Sequence, residues 1–205
     1  MARLSNDPDD RARRKRPEGW LAPGPAPRGP AGRSDLVPDA AEVLSFLAGD
    51  WRIFQRRDGH KWSLDDFMTA LVAVEERRAK NVQNACDLGC GIDSVLLFVA
   101  WAFPAARVVG VEAQELSIGL ARRSIAYDGA DDRCEVRVGD LRDDAVVPEA
   151  GAFDLVTGTP PYIPLGQGTV GAKIQRGPCC FETRGGIEDY ARAAARLLAP
   201  GGEFV

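Results

Sequence analysis

Three carboxylates and a double proline stand at the ends of four short apolar runs. Asp87 opens the run Asp87-Leu88-Gly89-Cys90-Gly91-Ile92-Asp93. Arg107-Val108-Val109-Gly110-Val111 leads to Glu112, and Glu135-Val136-Arg137-Val138 leads to Gly139-Asp140. Phe153-Asp154-Leu155-Val156-Thr157 leads to Gly158 and then to Thr159-Pro160-Pro161-Tyr162. Glycines at a turn let the backbone approach a ligand closely, and the helix start behind them offers free N–H groups. An acid at the tip of the second strand, about 20 residues past that turn, is suited to a ribose diol. The turn and Glu112 together therefore predict a nucleoside cofactor. The turn departs from G-x-G-x-x-G, because Asp93 and Ser94 occupy the later positions.

The elements that must hold these residues follow from periodicity. Asn84-Ala85-Cys86 ends a buried strand, and Ser94 to Phe103 reads as an apolar helix with Ser94 as its cap. Leu116 to Tyr127 reads as a helix burying Leu116, Leu120 and Ile125, and Ile187 to Leu198 as another. Glu203-Phe204-Val205 begins a fifth strand. Strands alternating with helices at this spacing imply a doubly wound α/β fold with a mostly parallel sheet, whose strand ends open onto one crevice. Upstream, Val43, Leu44, Phe46 and Leu47 fit one face of a helix ending near Gly49. Trp51 to Arg56 reads as a strand, Asp58-Gly59 as a hairpin turn and Lys61-Trp62-Ser63 as its return. A lead-in helix then spans roughly Leu64 to Ala79, with Phe67, Leu71 and Val74 inward. Residues 163–185 form a Gly-rich connection of the length usually reserved for functional loops.

The chain of 205 residues accommodates one core plus a tail. Residues 1–34 are rich in Pro, Gly, Ala and Arg and read as a disordered basic tail. Residues 35–81 form the helix, hairpin and lead-in helix, and residues 82–205 the core unit. Residues 1–33 carry +4 and the remainder −8. The basic arm is suited to nucleic acid or to solvent. No apolar run is long enough to span a bilayer. The five cysteines (Cys86, Cys90, Cys134, Cys179, Cys180) are odd in number and lack C-x-x-C spacing. With no secretion signal, this predicts a reducing intracellular compartment, no disulfide framework and no metal site. The cytoplasm comes first; the basic tail leaves the nucleus or an organelle open. His60 is the single histidine and reads as a turn residue.

With these tips in hand, the chain resembles the class I S-adenosyl-L-methionine (SAM) methyltransferases. Gly89-Cys90-Gly91 behind Asp87 resembles their first motif, and Thr159-Pro160-Pro161-Tyr162 their fourth, Asn/Asp-Pro-Pro-Tyr/Phe. That fourth motif belongs to the branch methylating a nitrogen conjugated to a planar system. Gly59-His60-Lys61-Trp62-Ser63-Leu64-Asp65 is similar to the lead-in of bacterial tRNA(Val) adenine-N6 methyltransferases. The resemblance implies a Rossmann-like fold and SAM as cofactor. Asp87, Gly89 and Gly91 would hold the methionine part, Glu112 the ribose and Asp140 the adenine, with Lys61, Trp62 and Asp65 closing over it. Thr159, Pro160, Pro161 and Tyr162 would hold the target: an adenine N6 in RNA such as tRNA, or alternatively a protein glutamine N5. The family fold also has two strands past the fifth, so these residues read as a fold cut short after that strand. With Thr159 in place of Asn or Asp, a non-catalytic SAM-binding partner or truncated pseudoenzyme is a further alternative.

Overall fold

The computed structural model describes residues 16–163, 181–182 and 184–205. In chain order the elements are β1 (Glu42–Phe46), β2 (Arg52–Arg56), α1 (Leu64–Arg77), β3 (Asn84–Leu88), α2 (Ser94–Ala102) and β4 (Arg107–Glu112). They continue with α3 (Glu115–Asp128), β5 (Cys134–Val138), β6 (Phe153–Gly158), α4 (Ile187–Leu197) and β7 (Leu198–Phe204). Strands β3 to β7 form one parallel sheet in the order β5-β4-β3-β6-β7. This is the expected doubly wound α/β architecture.

The sheet is sandwiched between two apolar layers. Helix α2 is apolar almost all round, and Ser94 to Ala100 are all buried, as a helix covered on several sides requires. It shares one core with α1, α3 and sheet residues such as Ala85, Val108 and Leu155. On the opposite face, α4 turns Tyr190, Ala193, Ala194 and Leu197 onto Cys86, Leu88, Val109, Val111 and Val156. β3 alternates accordingly, with Ala85 in one layer and Cys86 in the other. β4 and β6 flank β3 on opposite sides, so the connections diverge there and leave a crevice beyond the strand ends.

Several local expectations are corrected. Residues 42–46 form a strand, not a helix, and pair antiparallel with β2 from Glu42↔Arg56 to Phe46↔Arg52. The apolar run was too short for periodicity to separate strand from helix. The outer edge of β2 decided the matter. The Phe54 N–H donates to Ser124 Oγ (2.9 Å) and the Arg52 N–H to Asp128 Oδ1 (2.9 Å), both on α3. With that edge satisfied by a helix, β1 takes the other, and Lys61-Trp62-Ser63 forms no return strand.

Helix α1 buries Ala70, Ala73 and Arg77 rather than Phe67 and Leu71, which are each 39% exposed. Small side chains let α1 approach α2 closely, while the Phe67 ring meets Phe98 edge-on at 5.7 Å. Leu116 is 42% exposed, whereas Leu120 and Ile125 are buried as expected. Asp93, not Ser94, holds the N-cap position of α2, and its side chain makes no cap hydrogen bond. β7 starts at Leu198 and runs through Pro200-Gly201-Gly202, made possible by an irregularity opposite Phe153–Leu155.

Residues 16–33 are irregular yet touch the body. Arg16 pairs with Asp50 and Arg28 with Asp131, each at 2.8 Å, and the Gly29 N–H donates to the Tyr127 carbonyl. Cys179, Cys180 and most of the 163–185 connection lie outside the described residues. No described helix is long and apolar enough to cross a membrane.

Candidate active site

The strand tips singled out in the sequence meet at this crevice. A cavity of about 160 Å³ is lined by Asp87, Gly89 and Gly91 from the turn after β3, and by Glu112 and Asp140 from the tips of β4 and β5. The run after β6 supplies Thr159, Pro160, Pro161 and Tyr162, and α1 supplies Asp65. Lys61 is exposed and Trp62 packs edge-on against Phe98 at 5.9 Å; neither lines the cavity. Sequence reasoning missed Asp66, Arg184 and Tyr190 as lining residues, and read His60 only as a turn. His60 precedes the α1 start in sequence, which was its one available signal. Tyr190 sits on an apolar helix stripe and reads as core from sequence alone.

The turn is left-handed at Gly89 (φ +63°) and Gly91 (φ +57°). An added Cβ at Gly91 would meet nothing within 4 Å, so the backbone there faces open space. Glu112 Oε2 accepts from the Gly91 N–H (2.9 Å) and Oε1 from the Gln114 N–H (2.7 Å). Two bonds leave a carboxylate further acceptor capacity, and they lock the second strand's acid to the glycine turn. Asp87 is buried; its oxygens accept from the Thr157 hydroxyl (2.7 Å) and the Leu96 N–H (3.2 Å). Burial outweighs these bonds and pushes its carboxyl up to about 7. Asp140 is different. Arg142 grips it at 2.8 and 2.5 Å and holds its carboxyl below the usual range. Thr159 Oγ1 is buried with no hydrogen-bond partner. Among the described residues no cluster of His, Cys, Asp or Glu is arranged to hold a metal.

Residues 85–165 match a family described as a methyltransferase domain. A 4-amino-L-phenylalanine/4-methylamino-L-phenylalanine methyltransferase of Streptomyces pristinaespiralis is 37% identical over 62% of this chain and 44% of its own length. This match and the relatives' names support a class I, SAM-dependent methyltransferase domain over residues 85–165.

The methyltransferase domain has other relatives. A tRNA1(Val) (adenine(37)-N6)-methyltransferase of Porphyromonas gingivalis is 28% identical over 80% of this chain and 63% of its own. A release factor glutamine methyltransferase of Streptomyces coelicolor is 33% identical over 65% and 49%. The chain spans about half the length of the curated relatives it matches. Among solved structures, TYW2 of P. horikoshii in complex with MeSAdo superposes with a TM-score of 0.56. That match is 15% identical and covers 82% of this chain and 52% of the other, a likeness of fold.

The residues present fit the domain's cofactor. The open space above Gly91 and the spare acceptor sites on Glu112 and Asp140 are compatible with a bound sulfonium nucleoside.

Proposed function

We propose that the chain is a SAM-dependent N-methyltransferase whose acceptor is an amino nitrogen conjugated to a planar group, with an adenine N6 in RNA placed first. The observation that carries this reading is the buried, unpartnered Thr159 hydroxyl at the end of β6, beside the cofactor turn and ahead of two prolines. The three relatives' names give an arylamine, an adenine and a glutamine as acceptors. Each has a nitrogen lone pair delocalised into a planar system. The adenine enzyme matches over more of this chain than the other two, which supports RNA.

Such a nitrogen is a poor nucleophile until its lone pair is freed. The Thr159 hydroxyl and the Pro160 carbonyl can accept hydrogen bonds from its two N–H groups and favour a pyramidal nitrogen. Pro160 and Pro161 fix the backbone and bring no N–H of their own to compete. Tyr162 is 74% exposed at the crevice mouth and offers a face for a planar ring. When bound, the cofactor supplies an electrophilic methyl group. Gly89 and Gly91 admit its methionine part beside Asp87; Glu112 accepts from the ribose hydroxyls and Asp140 from the adenine amino group. The protein's contribution is alignment and electrostatics.

The test offers labelled SAM with total tRNA, a glutamine peptide and 4-amino-L-phenylalanine side by side. Label recovered in tRNA as N6-methyladenosine is the expected result. Label confined to the peptide or the free amino acid overturns the RNA acceptor. No label in any arm, from protein that binds S-adenosylhomocysteine, favours the non-catalytic alternative. Thr159→Val should lower turnover by about 10- to 100-fold with little change in S-adenosylhomocysteine affinity.

A further inference from the structure

Tyr190 stands between the two halves of the site. It lies on the inward face of α4 with Ala193, Ala194 and Leu197, and it is 6% exposed. Its hydroxyl end abuts the cofactor turn: a Cβ at Gly89 would stand 2.1 Å from Tyr190 Oη. Its ring abuts the strand end that delivers Thr159: a Cβ at Gly158 would stand 2.7 Å from Cδ1 and 3.2 Å from Cε1. Contacts that close mean both positions accept glycine alone while the tyrosine is in place. Gly158 is the register partner of Leu88, so the ring bridges two adjacent strands where they diverge around the crevice.

We propose that Tyr190 is a positioning residue that sets the spacing between the cofactor turn and the target clamp. The inference rests on the reading of this crevice as a methyl-transfer site. The ring is a rigid spacer. Pushing it from the Gly158 side moves it against Gly89, so a change at the clamp strand is transmitted to the cofactor turn through one side chain.

A double-mutant cycle read by calorimetric binding of S-adenosylhomocysteine tests this without any acceptor. In the Tyr190 protein, Gly158→Ala should weaken binding by about tenfold or more. In the Tyr190→Leu background the same change should weaken it by less than about threefold, because the spacer is gone. Equal losses in both backgrounds overturn the proposal. Melting curves report folding; should Tyr190→Leu not fold, Tyr190→Met replaces it in the same cycle. Tyr190→Phe keeps the ring but removes the hydroxyl that abuts Gly89 and should reduce the Gly158→Ala penalty, whereas a full penalty there also overturns the spacer. Wild-type protein that binds S-adenosylhomocysteine but methylates no acceptor removes the functional reading, while the coupling measured between Gly158 and Tyr190 still decides the spacer.

Discussion

Asp93 combines two costs in one residue. Its backbone is left-handed at φ +72°, a region where a side chain is disfavoured. Its carboxyl is fully buried, with only the weakly donating Cys90 thiol against it and no backbone N–H. Burial pushes that carboxyl well above the usual carboxylate range, as it does the neighbouring Cys90 thiol. Glycine would meet neither cost. Asp93→Gly should therefore raise stability by about 1–2 kcal/mol, read as a higher urea midpoint. An unchanged or lower midpoint would show that the carboxyl has a stabilising partner. The sequence displayed the unusual Asp at this turn, but its burial emerged only when α2 closed over it.

The β1–β2 hairpin shows how one element's edge decides its neighbour's fate. Ser124 Oγ accepts from the Phe54 N–H and donates to the Leu120 carbonyl at 3.0 Å, so it links β2 to α3. Arg123 lies over the Phe54 ring at 4.1 Å and reaches Glu42 on β1 at 2.5 Å. Ser124→Ala leaves a buried N–H unpaired and should cost about 1–3 kcal/mol, measured by chemical denaturation. A loss below about 0.5 kcal/mol would mean that the hairpin docks through packing alone. These partners lie some 70 residues apart in the chain, beyond any pattern local to residues 42–56, which is why that stretch read as a helix.

Across the whole molecule, buried carboxyls oppose salt-bridged ones. Asp87 and Asp128 are pushed up to about 7 and about 8 by burial, and Asp93 upward as well. The native state keeps protons that the unfolded chain releases above its ordinary carboxylate range, near pH 4. Stability must therefore fall as pH rises through the interval from about 4 to 8. Asp131, Asp140 and Glu149 are held low by Arg28, Arg142 and Arg137, so their contribution is lost at more acid pH. Cofactor-free protein should be most stable in mild acid and lose at least about 1.4 kcal/mol between pH 5 and pH 8. A melting temperature that rises over that span would contradict the burial assigned to Asp87 and Asp128. The sequence by itself determined the β/α alternation, the parallel sheet and the strand tips at Asp87, Glu112, Asp140 and Thr159, because period and turn chemistry are local. Tertiary structure alone decided that Ser124 and Asp128 finish the edge of β2, that Asp93 is sealed from water, and that Tyr190 separates Gly89 from Gly158. Each of those joins residues distant in the chain, and such distances are set by packing.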